Sequence, residues 1–263
     1  MGLALITGRG ALPRAVAEAQ TVPPLVCALS GHAPEGLVPD IVFRLERLGG
    51  LMARLRRRGV DRICLCGGID RPRLSPFAFD LATLRLLPTI RRALRRGDDG
   101  ALRLTVALFE TAGFTVVGAH EAAPGLLPPA GVPTAAEPDG ATRADVRAGD
   151  AILAEMGRAD LGQACILRDG QALARERDSG TDAMIAGLGT AGRGAILFKA
   201  PKPGQDRRVD LPTIGPATAA AAVAAGLRGI VIEAGGVIVL DRDEVVRRLD
   251  AAGLFLWLRE RQG

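Results

Sequence analysis

The residues best equipped for chemistry fall between Ser179 and Thr213. Ser179-Gly180-Thr181-Asp182 comes first. Lys199-Ala200-Pro201-Lys202-Pro203 follows, then Gln205-Asp206-Arg207-Arg208-Val209-Asp210-Leu211-Pro212-Thr213. Lys199 and Lys202 are the only lysines in a chain whose other cationic side chains are arginines. An ammonium on a flexible stem suits phosphate oxygens, and both lysines are expected at the surface as mobile point charges. Asp182, Asp206 and Asp210 supply hard oxygen donors. Only His32 and His120 accompany them, and no zinc-ligand spacing links Cys27, Cys64, Cys66 and Cys165. Such a donor set points to Mg²⁺ or Mn²⁺. Lysines with carboxylates equip a chain for phosphoryl or nucleotidyl chemistry, where cations hold phosphate charge and a carboxylate holds a metal or activates water. The same stretch also reads as a charged hinge loop, and Ser179 with Asp182 also fits a helix capping box.

The first half offers smaller groups. Gly8-Arg9-Gly10 follows the apolar run Leu3–Ile6, and glycines there let backbone N–H groups approach a phosphate at a helix start. A dinucleotide fingerprint would need a third glycine or alanine where Pro13 stands, and an acid where Ala28-Leu29-Ser30 stands. That disfavours NAD and leaves a tight turn or a phosphate site. Arg71, after Cys66-Gly67-Gly68-Ile69-Asp70, can grip a phosphate bidentately or sit on a surface loop. His120-Glu121 follows the next apolar run. Gly97-Asp98-Asp99 reads as a helix cap or a site contribution.

These groups need a scaffold, and the pattern supplies one. Apolar runs at 3–6, 25–29, 62–66 and 115–117 alternate with helical stretches at 13–20, 41–58, 81–96 and 100–112. The 41–58 stretch has apolar residues at 41, 45, 48, 51, 52 and 55, a helical period. Alternation of this kind predicts a Rossmann-like parallel sheet. Proline and glycine break every period between Ala122 and Gly140, which predicts a linker. Beyond it, helices are expected at 143–156, 178–182 onward, 216–225 and 243–252. Strands are expected at 164–168, 171–176, 195–199, 209–211, 229–233, 237–240 and 254–258, with a hairpin turn at Asp169-Gly170. The fold class is α/β with two α/β domains: an N-terminal Rossmann-like parallel sheet over 1–121, a linker over 122–140, and a C-terminal mixed-sheet domain over 141–263.

Composition narrows the partners. A net charge of +5 and a pI near 9.6 favour anionic ligands or surfaces. With no Tyr, seven Phe and one Trp, base stacking on nucleic acid is excluded. The cysteines read as buried thiols of a reducing compartment. The first residues lack a basic leader region, and 211–227 contains two prolines, which argues against a membrane span. A cytoplasmic protein is expected, with Arg91, Arg92, Arg95 and Arg96 either meeting an anionic membrane surface peripherally or forming a solvated helix face.

The motifs, taken in order, resemble a family. The chain is similar to the UDP-2,3-diacylglucosamine pyrophosphatases of lipid A biosynthesis, in the class unrelated to calcineurin-like metallophosphoesterases. The matching segments are Gly8-Arg-Gly-Ala-Leu-Pro13, Arg71-Pro72, Gly97-Asp-Asp99, Gly118-Ala-His-Glu121, Asp160-Leu-Gly-Gln163, Gly180-Thr-Asp-Ala-Met184, Lys199-Ala-Pro-Lys-Pro203, Arg208-Val-Asp-Leu-Pro-Thr-Ile-Gly215 and Glu233-Ala-Gly235. Arg9 stands where the family pattern has glycine, and Gly67 to Asp70 depart from its usual residues. The resemblance implies Mg²⁺-dependent (or Mn²⁺-dependent) hydrolysis of UDP-2,3-diacylglucosamine to lipid X and UMP. It implies attack at the sugar-bound phosphorus and an active site between two α/β domains, with Asp210 as the essential carboxylate. Substrate contacts are then expected from Gly8, Gly10, Arg71, Thr181, Asp182, Lys199, Lys202 and Thr213, and metal contacts from Asp210 and Asp182. A homodimer is compatible with this reading. Two alternatives stay open: a nucleotide-dependent Rossmann enzyme, and a non-catalytic nucleotide- or lipid-binding module that would tolerate loss of the carboxylates.

Overall fold

The run Leu3 to Thr7 is buried at every position, so it can only be a central strand covered on both faces. In the computed structural model, which describes residues 2–69, 75, 78–84, 97–159, 161–177, 179–202 and 204–260, that run is β1, Gly2–Thr7. By internal packing the chain forms two units. The first is Met1–Pro124 with Asp206–Asp210, and the second is Gly125–Gln205 with Leu211–Gly263.

In the first unit β1 is followed by α1 (Leu12–Glu18), β2 (Leu25–Leu29), β3 (Ile41–Phe43), α2 (Leu48–Arg57) and β4 (Val60–Cys66). Then come α3 (Leu81–Leu84), α4 (Gly97–Thr111), β5 (Thr115–Val117) and α5 (Ala119–Ala122). The five strands pair in parallel in the order β3-β2-β1-β4-β5. The order reverses between β1 and β4, and such sheets bind ligands beyond the carboxyl ends of the strands at that point. Helix α2 buries Leu48, Leu51, Met52 and Leu55 at helical spacing, and carries Arg54, Arg56 and Arg57 in its last turn, where cations complement the helix dipole.

The expected helix over 41–58 is corrected here. Ile41–Phe43 is an edge strand beside β2. Ile41 and Phe43 are buried while Val42 is 64% exposed, an alternation of two that overlaps the start of the helical period and won by pairing. The expected helix over 81–96 is seen at Leu81–Leu84; residues 85–96, with Arg91, Arg92, Arg95 and Arg96, lie outside the described residues.

The second unit holds α6 (Gly140–Arg158), β6 (Ala164–Arg168), β7 (Gln171–Arg175), α7 (Gly180–Ala186), β8 (Ile196–Lys199), β9 (Thr213–Ile214) and α8 (Pro216–Ala224). It ends with β10 (Gly229–Glu233), β11 (Ile238–Val239), α9 (Arg242–Ala251) and β12 (Phe255–Arg259). Its main sheet runs β12-β10-β8-β6-β7. The β12-β10-β8 side is parallel and the β8-β6-β7 side antiparallel. Asp169 and Gly170 close the β6–β7 hairpin with φ of 53° and 75°, the left-handed pair that a two-residue turn demands. Alternate residues of β8 face opposite layers: Leu197 packs with Ile185, Ala219 and Val245, whereas Ile196 and Phe198 pack with Val146 and Met156 of α6.

The stretch from Gly125 is held in the second unit by specific bonds. Gly131 and Leu258 exchange backbone hydrogen bonds of 2.9 Å. The Leu256 amide donates to Thr134 Oγ1 at 2.9 Å, and the Ala135 amide donates to Asp250 Oδ1 at 2.8 Å. Asp139 caps α6 by accepting from the Thr142 amide at 2.7 Å. The strand expected at Val209–Leu211 does not form. The Asp206 carbonyl accepts from both the Val209 and Asp210 amides at 3.1 Å, a turn, and extended pairing begins only after Pro212, at β9.

Helix α6 lies close enough to the sheet that Gly149 is required. A Cβ there would stand 2.5 Å from Phe198 Cδ1 and 2.6 Å from Leu167 Cδ1, both on buried side chains. Gly149→Ala should therefore lose about 1–3 kcal/mol by overpacking, against a helix-propensity gain of about 1 kcal/mol. A denaturation midpoint at or above wild type would contradict this packing.

Candidate active site

At the carboxyl ends of β1 and β4, two glycine loops are stitched together. The Gly8 amide donates to the Cys66 carbonyl at 2.9 Å, and Arg9 and Gly68 exchange backbone bonds of 2.8 and 2.9 Å. A side chain at Gly8 would overlap the Gly68 carbonyl, and Gly10 sits at φ 94°. Gly8 is thus needed for the close approach, and Gly10 for its left-handed backbone. Thr7, fully buried, has an Oγ1 with no hydrogen-bond partner. Arg71, expected on the same rim, lies outside the described residues, as do the side chains of Asp98 and Asp99.

Asp210 is half-buried in the first unit. Its segment is anchored by two neighbours. The Arg208 guanidinium donates to Glu110 Oε1 of α4 at 2.7 Å and to Asp206 at 2.7 and 3.0 Å. Val209 packs onto the core of the parallel sheet. Arg208 holds the Asp206 carboxyl below the usual range, and Asp206 in turn raises the guanidinium. At the end of β5, a Cβ on Gly118 would meet both the His120 ring at 2.5 Å and Arg208 Cα at 3.2 Å, so glycine lets ring and segment share this corner. His120 Nδ1 is buried with no hydrogen-bond partner. Burial lowers the His120 pKa and Arg207 lowers it further, while Glu121 opposes them. The imidazole is therefore neutral at pH 7.

In the second unit Thr181, Lys199, Lys202, Asp182 and Thr213 do not play one common part. Lys199 is corrected most: it is 5% exposed, not a mobile surface charge. It ends β8, whose four residues are all buried. Its Nζ donates to Thr181 Oγ1 at 2.6 Å and lies 3.7 Å from Glu176 Oε1. The Thr181 hydroxyl donates to Glu176 Oε1, and the Gln163 amide donates to Glu176 Oε2 at 2.7 Å. Asp182 is exposed and accepts from Thr218 Oγ1 at 2.8 Å. The expected capping box is absent, because the Ser179 side chain makes no cap bond. Lys202 is half-buried, and its amide donates to Gln205 Oε1 at 3.1 Å. Thr213 is half-buried, with Oγ1 donating to the Leu211 carbonyl at 3.3 Å.

Sequence reasoning missed Glu176, Glu110 and the anchoring role of Arg208. Glu176 reads as the polar end of an exposed hairpin strand, and nothing in its neighbours signals burial. The four cysteines are all buried and free. Burial pushes the Cys27 and Cys165 thiols up to about 12, which removes them as nucleophiles. Among the described residues no three His, Cys, Asp or Glu side chains gather to hold a metal. Asp182 and Asp210 belong to different units.

Comparison with known proteins covers both units. Residues 2–126 match the family model described as LpxI N-terminal domain, and residues 129–257 match LpxI C-terminal domain. The UDP-2,3-diacylglucosamine pyrophosphatase LpxI of Caulobacter vibrioides is 39% identical over 268 aligned residues, spanning 97% of this chain and 96% of that protein. With the glycine loops, the Asp210 segment and both domain matches in one collinear order, the chain belongs to the LpxI family.

Proposed function

We propose that this protein hydrolyses the pyrophosphate of UDP-2,3-diacylglucosamine, releasing lipid X and UMP within lipid A biosynthesis. The observation that supports it most is the 39% identity carried through 97% of the chain to a pyrophosphatase of that name. In the proposed reaction a water oxygen bonds to the sugar-bound phosphorus. The bond from that phosphorus to the bridging oxygen breaks, and the bridging oxygen leaves on UMP.

Asp210 takes the proton of the attacking water or holds a metal beside it. Gly8 shapes the loop while its own amide stays bonded to the Cys66 carbonyl; the Gly10 amide and the ammonium of Lys202 are assigned to phosphate charge, together with Arg71. Thr181, Asp182 and Thr213 orient the remainder of the substrate. The donor set suits Mg²⁺ or Mn²⁺ only as a shared ligand. Asp210 or Asp182 would give one carboxylate each, and substrate oxygens and water would complete the shell, as is usual for Mg²⁺. Bound so, the metal would neutralise pyrophosphate charge. None of the described helices is long and apolar enough to cross a membrane. We propose that the basic chain meets its lipid substrate at an anionic surface peripherally.

Purified protein with UDP-2,3-diacylglucosamine and Mg²⁺ should form UMP and lipid X, and in ¹⁸O-water the label should enter lipid X. Label in UMP would overturn the site of attack, and no turnover would overturn the reading. EDTA should abolish hydrolysis and added Mg²⁺ or Mn²⁺ restore it; full turnover in metal-free protein would remove the metal from the account.

Asp210→Ala should abolish nearly all turnover while circular dichroism and melting stay near wild type, because Arg208 and Val209 still anchor the segment. The variant should co-purify with intact substrate, whereas wild type retains lipid X. Near-normal turnover would remove Asp210 from the chemistry. Lys202→Ala should lower kcat/KM roughly tenfold or more, the equivalent of about 1–3 kcal/mol for a charged hydrogen bond. Unchanged kinetics would reduce Lys202 to a solvated loop residue.

A further inference from the structure

The second unit contains an ion pair that the reaction, as written, does not use. Glu176 is 6% exposed and Lys199 5%, and both are enclosed by strand ends and one helix start. Their geometry gives both carboxylate oxygens a bonded partner. Glu176 Oε2 accepts from the Gln163 amide and Oε1 from the Thr181 hydroxyl. That hydroxyl in turn accepts from Lys199 Nζ. A hydroxyl has one proton to give, so with Glu176 taking the proton and Lys199 supplying one, Thr181 is held in a single rotamer. The next residue is Asp182, exposed and tied to Thr218.

The approach is tight enough to need glycine. A Cβ at Gly162 would stand 2.6 Å from both Glu176 Cβ and Cγ, so the chain from α6 can reach β6 only by passing directly over this carboxylate. A group so enclosed, with both oxygens bonded, is fixed before any ligand arrives.

We infer that Glu176 is a positioning residue, and that the Lys199 ammonium acts on Thr181 and Glu176 to fix the Thr181–Asp182 segment rather than gripping substrate phosphate itself. The inference rests on the proposed pyrophosphatase reading for its kinetic test and on geometry alone for its stability test. It also makes opposite predictions from a phosphate-gripping lysine. If Lys199 held phosphate, removing the Glu176 charge would strengthen its pull and lower KM. If the pair positions Thr181, loss of either member frees the same segment and KM rises in both cases.

The experiment compares wild type, E176Q, K199M and E176Q/K199M. A glutamine has only one acceptor oxygen, so it cannot serve both the Gln163 amide and the Thr181 hydroxyl. Each single variant leaves a buried charge without its counter-ion and should melt lower. The double variant removes both charges and should melt higher than either single. Both singles should raise KM for UDP-2,3-diacylglucosamine by roughly tenfold, and the double should be no worse than the poorer single, as expected for residues acting as one unit.

A lower KM in E176Q than in wild type would overturn the inference in favour of direct phosphate contact. Wild-type KM in all folded variants would overturn it in favour of a purely structural pair. Additive melting losses in the double would deny the pairing itself. Absence of turnover in wild type would overturn the proposed reaction instead, and the melting comparison, which needs no substrate, would still decide the pairing.

Discussion

One guanidinium fixes where Asp210 stands. Arg208 joins Asp206, two residues before it in the chain, to Glu110 on α4. The segment Asp206–Asp210 is thereby part of the first unit, although the residues on either side of it belong to the second. A short loop returned to another unit would carry a large ordering cost. The planar fork of arginine offsets it with charge-assisted bonds to two carboxylates at once, and Val209 adds an apolar anchor. A lysine in this place could not span both partners with the same geometry. The carboxylate two residues on takes part of its position from this anchor, through the turn its amide closes on the Asp206 carbonyl.

The same logic governs the other unit, with burial in place of exposure. A lysine taken out of water is tolerable only with a counter-ion and filled hydrogen bonds. Lys199 has Glu176 for the first and Thr181 for the second. Arg228 with Asp145, and Arg259 with Asp150, likewise have counter-ions in this unit, although the Nε of each arginine is buried without a hydrogen-bond partner. Such pairs leave little net field around them, so they specify a local shape more than they attract an anion.

Much of this was legible in the chain. Apolar runs alternating with helical periods read correctly as a parallel sheet, and Asp169-Gly170 read correctly as a hairpin turn, because turn chemistry and periodicity are local. What failed depended on contacts distant in sequence. Ile41 to Phe43 fits either a helix or a strand, and only the neighbouring β2 decides between them. Val209 looked like strand because it is apolar, but it is apolar in order to anchor a turn on the core of the other half. Lys199 looked like a surface charge because lysines usually are. Its partner Glu176 comes directly after β7, and its exposed neighbours Arg175 and Arg177 gave no hint of burial. The ordered motifs pointed to the Asp210 segment from the start, without saying which unit would hold it.

Several of the chain's cations are already committed to partners within the fold. Arg208 is committed to Asp206 and Glu110, Lys199 to Thr181 and Glu176, and Arg228 to Asp139 and Asp145. Arg207 differs: it is exposed, one residue from the anchor and three from Asp210, and its charge is felt at His120. On the proposed reading, a dianionic substrate approaching Asp210 would meet a carboxylate that repels it. In the proposed reaction, attraction would come from cations close by, from glycine-loop amides and from any bound metal, rather than from the sum of the chain's arginines. The net charge of the whole protein matters less than how the fold distributes and pairs its charges.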